Sequence, residues 1–143
     1  MTHVANFPTE AQRVMQERFG KDSLIALATA VDNIPHVRTV DAYYEDGSFY
    51  TITWAKSGKM QQIAQNPNVA ICGDCFTASG TAENMGWFGK PENQTIAKKL
   101  RAAFAAWIDN GHSDLQDENT VILRVRLQKG MLYDHGKRYE ILF

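Results

Sequence analysis

The residues best suited to hold an anion lie in one short segment, Thr53–Lys59, where a predicted strand ends and a helix begins. The first backbone N–H groups of a helix have no partner within it and carry partial positive charge. Ser57 adds a hydroxyl group, Gly58 permits close approach of the backbone, and Lys56 and Lys59 add two cations. These are the components of a phosphate-binding site, although the GxxxxGK(S/T) spacing of a P-loop is absent. The alternative is a solvated loop with a serine cap and two surface lysines.

Arg38 is a second candidate, because it lies in the middle of a predicted strand, His36–Tyr44. Its face of that strand is otherwise apolar, with Val40, Ala42 and Tyr44. A guanidinium group among apolar neighbours usually has a fixed anionic partner, since an unpaired buried charge is costly. That partner is either a bound anion or a nearby carboxylate of the same chain. An exposed position at a barrel edge is the remaining alternative.

The two cysteines lie in a CxxC segment, Cys72–Cys75. A zinc or dithiol site needs a second pair of ligands, or a helix N-terminus below the first cysteine, and neither is evident. None of the four histidines lies at ligand spacing from this segment. We therefore predict a hairpin turn at Gly73-Asp74 and no metal site. No Ser–His–Asp or Cys–His arrangement is recognisable either, so the sequence identifies no catalytic residue.

Helix and strand patterns predict the elements that must position these residues. A first helix starts at Thr9, with Gln12 closing a capping box, and ends at Gly20. A short helix starts after Ser57 and ends at Asn66-Pro67. A third helix starts at Pro91 and ends at Asn110-Gly111. Its apolar stripe consists of Ile96, Leu100, Phe104, Trp107 and Ile108.

Eight segments have strand patterns, which predict about seven strands, and most of them follow one another as hairpins. The predicted strands are Leu24–Val31, His36–Tyr44, Ser48–Trp54, Val69–Cys72, Cys75–Asn84, Val121–Leu127, Met131–Tyr133 and, last and shortest, Tyr139–Phe143. The Asp46-Gly47 pair is a strong hairpin signal. Strands in hairpin order without alternating helices favour a mainly β fold with peripheral helices, as an antiparallel barrel or a strongly curled sheet.

Composition bounds the classes of function. The chain has 143 residues, which predicts a single domain over 1–143, and a formal net charge of -1. That charge offers no general attraction for nucleic acid or an anionic membrane. The apolar stretches fall short of the roughly 20 residues that span a bilayer, and Met1–Glu10 lacks the pattern of a secretory signal. We therefore expect a cytoplasmic protein.

Five short motifs in order resemble a known family. They are Arg38-Thr39-Val40, the Asp46-Gly47 hairpin with Phe49-Tyr50-Thr51, Ser57-x-Lys59, Asn66-Pro67-x-Val69-Ala70, and Ser79-Gly80-Thr81-Ala82-Glu83. Together they resemble the pyridoxamine 5'-phosphate oxidase-related, FMN-binding split-barrel family, and its small general-stress-protein-like members in particular. The resemblance implies a six-stranded antiparallel split β-barrel of Greek-key type. It also implies a homodimer with FMN at the subunit interface.

The resemblance further implies a set of cofactor-binding residues. They are Arg38, Thr39, Val40, Thr53, Trp54, Ser57 and Lys59. The charge pattern of Thr53–Lys59 adds Lys56 to this set. Arg38 would reach the FMN phosphate, whose site Ser57 and Lys59 would complete. The isoalloxazine ring would lie along Thr39 and Val40. Thr53 and Trp54 would continue the contacts with the ring and the ribityl chain. Trp87 and Phe88 lack evident cover within the chain, so we expect them at the dimer interface.

The sequence departs from the family's pattern where the oxidases hold their substrate. Tyr43 stands where the family has a basic substrate-binding residue. The position of the family's flavin-contacting Gln falls near Cys75 or Phe76. The family's basic C-terminal segment has no counterpart in Lys137–Phe143. These departures predict an FMN-dependent oxidoreductase that acts on another small molecule. The alternatives are a pyridoxamine 5'-phosphate oxidase proper, a non-catalytic flavin-binding or stress-response module, a deazaflavin or haem protein, and a barrel that binds only a protein partner.

Overall fold

The computed structural model describes residues 6–143. The first half of Met1–Glu10, the segment predicted to lack a secretory signal, lies outside the described residues. In the described part the helices are α1 (Thr9–Phe19), α2 (Gly58–Gln65) and α3 (Gln94–Ala103), with a 3-10 turn at Pro91–Asn93 before α3. The strands are β1 (Ser23–Val31), β2 (Ile34–Glu45), β3 (Ser48–Trp54), β4 (Asn68–Gly73), β5 (Phe76–Trp87), β6 (Thr120–Asp134) and β7 (Lys137–Leu142).

The strands form one antiparallel barrel. Their order is β3-β2-β1-β4-β5-β6-β7, and an additional β3–β6 pairing closes six of them into a ring. The seventh strand, β7, pairs only with the second half of β6 and extends the sheet beyond the ring. Because β1 pairs with β4 and β3 with β6, the order is of Greek-key type and not a simple meander. The predicted mainly β, six-stranded antiparallel barrel is confirmed.

The ring is split between β2 and β3. These strands share only three register pairs, all next to the hairpin at Asp46-Gly47. Both turn residues have positive φ, 46° and 81°, as a two-residue type I′ hairpin requires. Beyond the hairpin, residues 34–42 of β2 pair with β1, and residues 51–54 of β3 pair with β6. The two strands therefore diverge and leave a gap between them.

The core fills the barrel from the inner faces of the strands. Inward positions alternate along β6, where Val121, Leu123, Val125 and Leu127 are all at most 3% exposed. The helix α1 covers the end of the barrel where β1 begins, and its Phe19 lies 5.5 Å from Phe49 between ring centroids. The helix α2 packs near the other end of β1. The two ends of the barrel thus have different covers.

A second apolar cluster lies outside the barrel, between α3 and the outer faces of β3 and β6. The prediction that the third helix reaches Asn110 is wrong, because α3 ends at Ala103 and residues 104–109 form successive turns. Bonds from Trp107 and Ile108 to the carbonyl of Phe104 keep nearly helical spacing through these turns. The predicted stripe therefore stays against the barrel, although Trp107 is only partly buried.

Other local predictions are also corrected. The predicted strands Val121–Leu127 and Met131–Tyr133 form one continuous strand, β6. Pro8, not Thr9, precedes the first turn of α1, and Gln12 Nε2 donates to the carbonyl of Phe7 (2.8 Å). The β4–β5 turn consists of Asp74 and Cys75, one residue later than predicted, and both cysteines are free and exposed. These shifts move ends of elements and leave the strand order unchanged.

The expectation that Trp87 and Phe88 lack cover within the chain is wrong, because both pack in the second apolar cluster. Phe88 is 4% exposed and packs in the cluster beside α3. The indole N–H of Trp87 donates to the carbonyl of Leu115 (3.0 Å). Residues 88–119 include α3 and its following turns, and the sequence pattern did not show that they fold back over these aromatic side chains.

Gly80 permits the close approach of β5 and β6, so Gly80→Ala is expected to destabilise the fold by about 1–3 kcal/mol through overpacking. A Cβ at this position would lie 2.7 Å from the carbonyl oxygen of Arg126 and 2.9 Å from Val125. Denaturant unfolding measures the change. Ser79→Ala is the matched control, because it places the same methyl group on the exposed face and should change stability by less than about 0.5 kcal/mol. Equal effects of the two substitutions would contradict this account.

Candidate functional site

The split brings the two predicted cofactor-contacting strand segments to opposite sides of one gap. Arg38, Thr39 and Val40 lie on the part of β2 that pairs only with β1, and Thr53 and Trp54 lie on the part of β3 that pairs only with β6. The helix α2 begins four residues after β3 ends and packs against β1. Three elements therefore surround the gap near the same end of the barrel.

Five side chains converge below the gap, and we call them the cation cluster: Arg38, Lys59, Thr29, Thr53 and Gln62. Arg38 Nη1 donates to Thr29 Oγ1 (2.8 Å) and to the carbonyl of Leu27 (3.2 Å), and its Nη2 donates to Gln62 Oε1 (2.6 Å). Thr29 in turn donates to Gln62 Oε1 (2.6 Å). Lys59 Nζ donates to Thr53 Oγ1 (2.7 Å).

The alternation of each strand explains why these side chains meet. Thr29 follows Ile25 and Leu27 on the inner face of β1, and Thr53 follows Phe49 and Thr51 on the inner face of β3. Arg38 shares the inner face of β2 with buried Ala42 and Tyr44. At this end of the barrel, inward positions of three strands therefore carry polar groups. The helix α2 contributes two more, Lys59 and Gln62.

Burial makes this cluster unfavourable for the positive charges it holds. Burial lowers the pKa of Arg38 below its ordinary value. Burial, and then the charge of Arg38, lower the pKa of Lys59. Within residues 6–143, none of the ion pairs involves either cation, so both are held by neutral oxygen atoms. Of the alternatives for Arg38, a carboxylate partner is thus excluded for the described residues.

The first turn of α2 is built as the sequence predicts. Ser57 is the N-cap, and its hydroxyl group accepts a hydrogen bond from the backbone N–H of Met60 (3.4 Å). A Cβ placed on Gly58 would have only Gln62 Nε2 within 4 Å, at 3.9 Å. The space in front of this turn is therefore open. A dianion fits the residues present: two uncompensated cations, the N-terminus of α2 and room for a phosphate group.

Five of the eight predicted site residues lie outside the cation cluster: Thr39, Val40, Trp54, Lys56 and Ser57. Thr39 is exposed on the outer face of β2, Trp54 is 53% exposed at the end of β3, and Lys56 is exposed in the turn before α2. Val40 is partly buried and packs against the core. The structure therefore brings together Arg38, Thr53 and Lys59, at the helix that Ser57 caps.

Two members of the cation cluster were missed by the sequence analysis, and they differ in the signal they left. Thr29 interrupts an apolar strand and is 2% exposed, so its hydroxyl group needed a partner. Gln62 follows an identical residue, Gln61, whose side chain instead donates to the carbonyl of Lys56 (3.1 Å). Only the rotation of α2 against the barrel distinguishes these two glutamines.

A long groove crosses the outer faces of the strands on the other side of the β1–β2 sheet. Its volume is about 860 Å³, and its lining is mostly apolar, with small side chains that include Ala26, Ala28 and Ala70. Val37, which is 70% exposed, also lines it and immediately precedes Arg38. The groove and the cation cluster therefore meet at one segment of β2, on its opposite faces.

Two further site types have no candidate in the described residues. No three His, Cys, Asp or Glu side chains of residues 6–143 come together as a metal site. No helix in this part of the chain is long and apolar enough to cross a membrane.

Comparison with known proteins assigns the family. A family model described as pyridoxamine 5'-phosphate oxidase matches residues 11–132, which include the six ring strands except the last two residues of β6, and α1 except its first two residues. The chain belongs to the pyridoxamine 5'-phosphate oxidase family. The matched residues include all eight positions that the sequence analysis named for the cofactor. No curated protein sequence matches the chain.

Solved structures of low sequence identity share the fold of this pyridoxamine 5'-phosphate oxidase family member. General Stress Protein 26 from Bacillus anthracis str. Sterne is 17% identical, with a TM-score of 0.68 over 93% of this chain and 100% of that one. A FAD-binding protein from Mesorhizobium loti is 15% identical, with a TM-score of 0.65 over 80% and 88%. An F420 reductase is 19% identical, with a TM-score of 0.63 over 80% and 94%.

Lys59→Met is expected to stabilise the ligand-free protein at neutral pH, by at most about 4 °C in Tm, roughly the shift that 1 kcal/mol produces in a domain of this size. The folded state lowers the pKa of Lys59, so the unfolded state binds more protons between the two pKa values and the wild type gains stability as the pH rises. The advantage of the variant should therefore narrow toward pH 10.

Thermal unfolding from pH 7 to pH 10 measures this difference. Lys56→Met is the control, because Lys56 is exposed and its substitution should give a difference that does not change with pH. A Lys59→Met advantage that grows as the pH rises would contradict the linkage.

Proposed function

We propose that this protein binds FMN in the split between β2 and β3 and acts as an FMN-dependent oxidoreductase on a small molecule. The observation that carries the proposal is the pair of partly buried cations, Arg38 and Lys59, held only by neutral oxygen atoms. Such charges are stabilised by a dianion, and a charge-assisted hydrogen bond contributes about 1.5–3 kcal/mol. Membership of the pyridoxamine 5'-phosphate oxidase family supports a flavin as the bearer of that dianion.

In this proposal the FMN phosphate contacts the cation cluster and the first turn of α2. Arg38 and Lys59 donate to the phosphate, Ser57 holds the helix N-terminus toward it, and Lys56 contributes charge from the adjacent turn. Thr39 and Val40 on one side of the gap, with Thr53 and Trp54 on the other, orient the ring and the ribityl chain. The diverging strands support this arrangement, because they leave backbone groups on both sides without a strand partner.

Bound FMN supplies hydride and electron transfer, and the protein supplies binding, orientation and exclusion of water. We therefore assign no acid or base among the residues of the chain. The proposed contacts lie on both faces of β2. Thr39 is exposed on the outer face of β2, while Arg38 faces inward, so a ligand that contacts both must pass the edge of β2.

A direct test is to purify the protein and to titrate it with FMN, following flavin absorption and fluorescence. Reduction by NADH or NADPH, and reoxidation by an added acceptor over many turnovers, would support an oxidoreductase. Binding of FMN without turnover by either donor would favour a non-catalytic flavin-binding module. Absence of FMN binding at micromolar concentration would contradict the proposal.

Arg38→Ala is expected to weaken FMN binding by about 10- to 100-fold, because one charge-assisted contact to the phosphate is lost. Riboflavin lacks the phosphate, so its affinity should change by less than about threefold. Arg38→Lys should recover part of the loss, since it keeps the charge without the planar fork. Fluorescence titration measures both ligands.

The control for this series is Arg101→Ala, which removes an exposed arginine from α3, far along the chain from the cluster. It should leave both affinities unchanged. Equal losses of FMN and riboflavin binding in Arg38→Ala would show that Arg38 supports the fold and not the phosphate.

We also propose that the protein is a homodimer, and that the outer groove is its interface. The groove joins an exposed apolar side chain, Val37, to the β2 edge of the split, so a second copy seated there would lie beside the ring of the bound flavin. Stable homodimer interfaces are large and more apolar than the remaining surface.

Val37→Glu is expected to shift the dimer toward monomer by at least about tenfold in dissociation constant, because it places a charge within an apolar interface. Sedimentation velocity over a range of protein concentrations measures the shift. Lys98→Glu, on the exposed side of α3, is the control and should leave the dimer intact. A wild-type protein that sediments as a monomer at micromolar concentration would contradict the interface.

A further inference from the structure

Gln62 is the hub of the cation cluster, although it carries no charge. Its Oε1 accepts hydrogen bonds from Arg38 Nη2 and from Thr29 Oγ1, both at 2.6 Å. Its Nε2 points back along α2, 3.9 Å from the position that a Cβ on Gly58 would occupy. One amide group therefore links the inner faces of β1 and β2 to the first turn of α2.

A neutral acceptor at this position is unusual for its surroundings. A carboxylate would accept the same two hydrogen bonds and would also compensate the charges of Arg38 and Lys59, and buried arginines are ordinarily paired with carboxylates. Glutamate differs from glutamine by a single atom type, so the geometry of the cluster admits either. What differs is the net charge that the cluster presents to a ligand.

The structure thus separates two tasks of the same side chain. The hydrogen bonds of Gln62 hold the guanidinium group of Arg38 in one orientation, which any acceptor of this shape would do. The absence of charge on the amide leaves both cations uncompensated, whereas a carboxylate at this position would compensate them. A ligand with two negative charges then supplies the compensation that the protein itself lacks.

We propose that Gln62 is a positioning residue that determines the charge selectivity of the site, so that dianionic phosphate esters bind in preference to neutral analogues. The inference rests on the proposed phosphate site and concerns a residue that the cofactor contacts do not require. The charged groups of the cluster around Gln62 are Arg38 from β2 and Lys59 from its own helix, while β1 contributes Thr29. Its charge neutrality is therefore the property to test.

The test compares Gln62→Glu with Gln62→Leu in FMN and riboflavin titrations at constant pH and salt. If neutrality is essential, Gln62→Glu weakens FMN binding by about 10- to 100-fold, the loss equivalent to one charge-assisted contact, and more than Gln62→Leu does. If Gln62 only positions Arg38, Gln62→Glu binds FMN like the wild type and Gln62→Leu is the weaker variant. The second ranking overturns the proposal.

Thermal unfolding of the ligand-free variants gives an independent readout. A glutamate at this position compensates two partly buried cations, so Gln62→Glu should raise Tm while it weakens FMN binding. Gln62→Leu leaves Arg38 and Thr29 without their acceptor and should lower Tm. A Gln62→Glu protein that is less stable than the wild type, or that does not fold, contradicts the proposal.

Gln61→Glu is the matched control, because it adds the same charge one residue earlier on the exposed side of α2. It should change FMN affinity by less than about threefold. Inorganic phosphate separates this inference from the proposed function. Wild-type protein that is stabilised by phosphate, with Gln62→Glu not stabilised, supports the role of Gln62 even where FMN does not bind; equal stabilisation of both by phosphate overturns it.

Discussion

Closure of the barrel requires β3 to pair with a strand on each side, and it pairs with them unequally. All seven residues of β3 have register partners in β6, but only three have partners in β2. The short β2–β3 pairing is enough to set the hairpin and to close the ring. Because the strands then diverge, backbone and side chains that a complete barrel would bury remain accessible at one end. The other features of the site depend on this gap.

Below the gap, the fold accepts two charges that it does not compensate. Arg38 and Lys59 sit where burial disfavours their charged forms, and no carboxylate of the described residues pairs with either. Elsewhere the chain pairs its arginines readily, as in the contact of Arg18 with Asp134 (3.0 Å). The missing compensation is therefore local. Strained or uncompensated groups of this kind are expected at functional sites and not in the structural core.

The two faces of the β1–β2 sheet have separate roles in this arrangement. The inner face ends in polar groups that converge on the cation cluster, while the outer face is an apolar groove lined by small side chains. The second apolar cluster covers outer positions of β3 and β6, and none of its residues lines this groove. A single strand segment, Val37–Arg38, thus connects the cation cluster to an apolar surface, and the alternation of the strand places both within one residue of each other.

The sequence by itself determined the mainly β class with strands in hairpin order, the hairpin at Asp46-Gly47 and the serine cap of α2. It also singled out Arg38, Thr53 and Lys59, which the structure brings together. These follow from local rules: turn chemistry, period-two alternation and capping act over a few residues. The Asn66-Pro67 pair likewise ended α2 within one residue of its predicted end. Arg38 was recognisable because an arginine on an apolar face needs an unusual explanation.

Only the tertiary structure decided which of these residues meet. The rotation of α2 selected Gln62 over Gln61, and the fold of residues 88–119 covered Trp87 and Phe88, which local patterns left without cover. The turns after Ala103 kept a helical stripe without a helix, since their hydrogen bonds preserve its spacing. Such outcomes depend on contacts between residues far apart in the chain. Local patterns show which side chains need partners, and the packing of helices against the barrel determines which partners they receive.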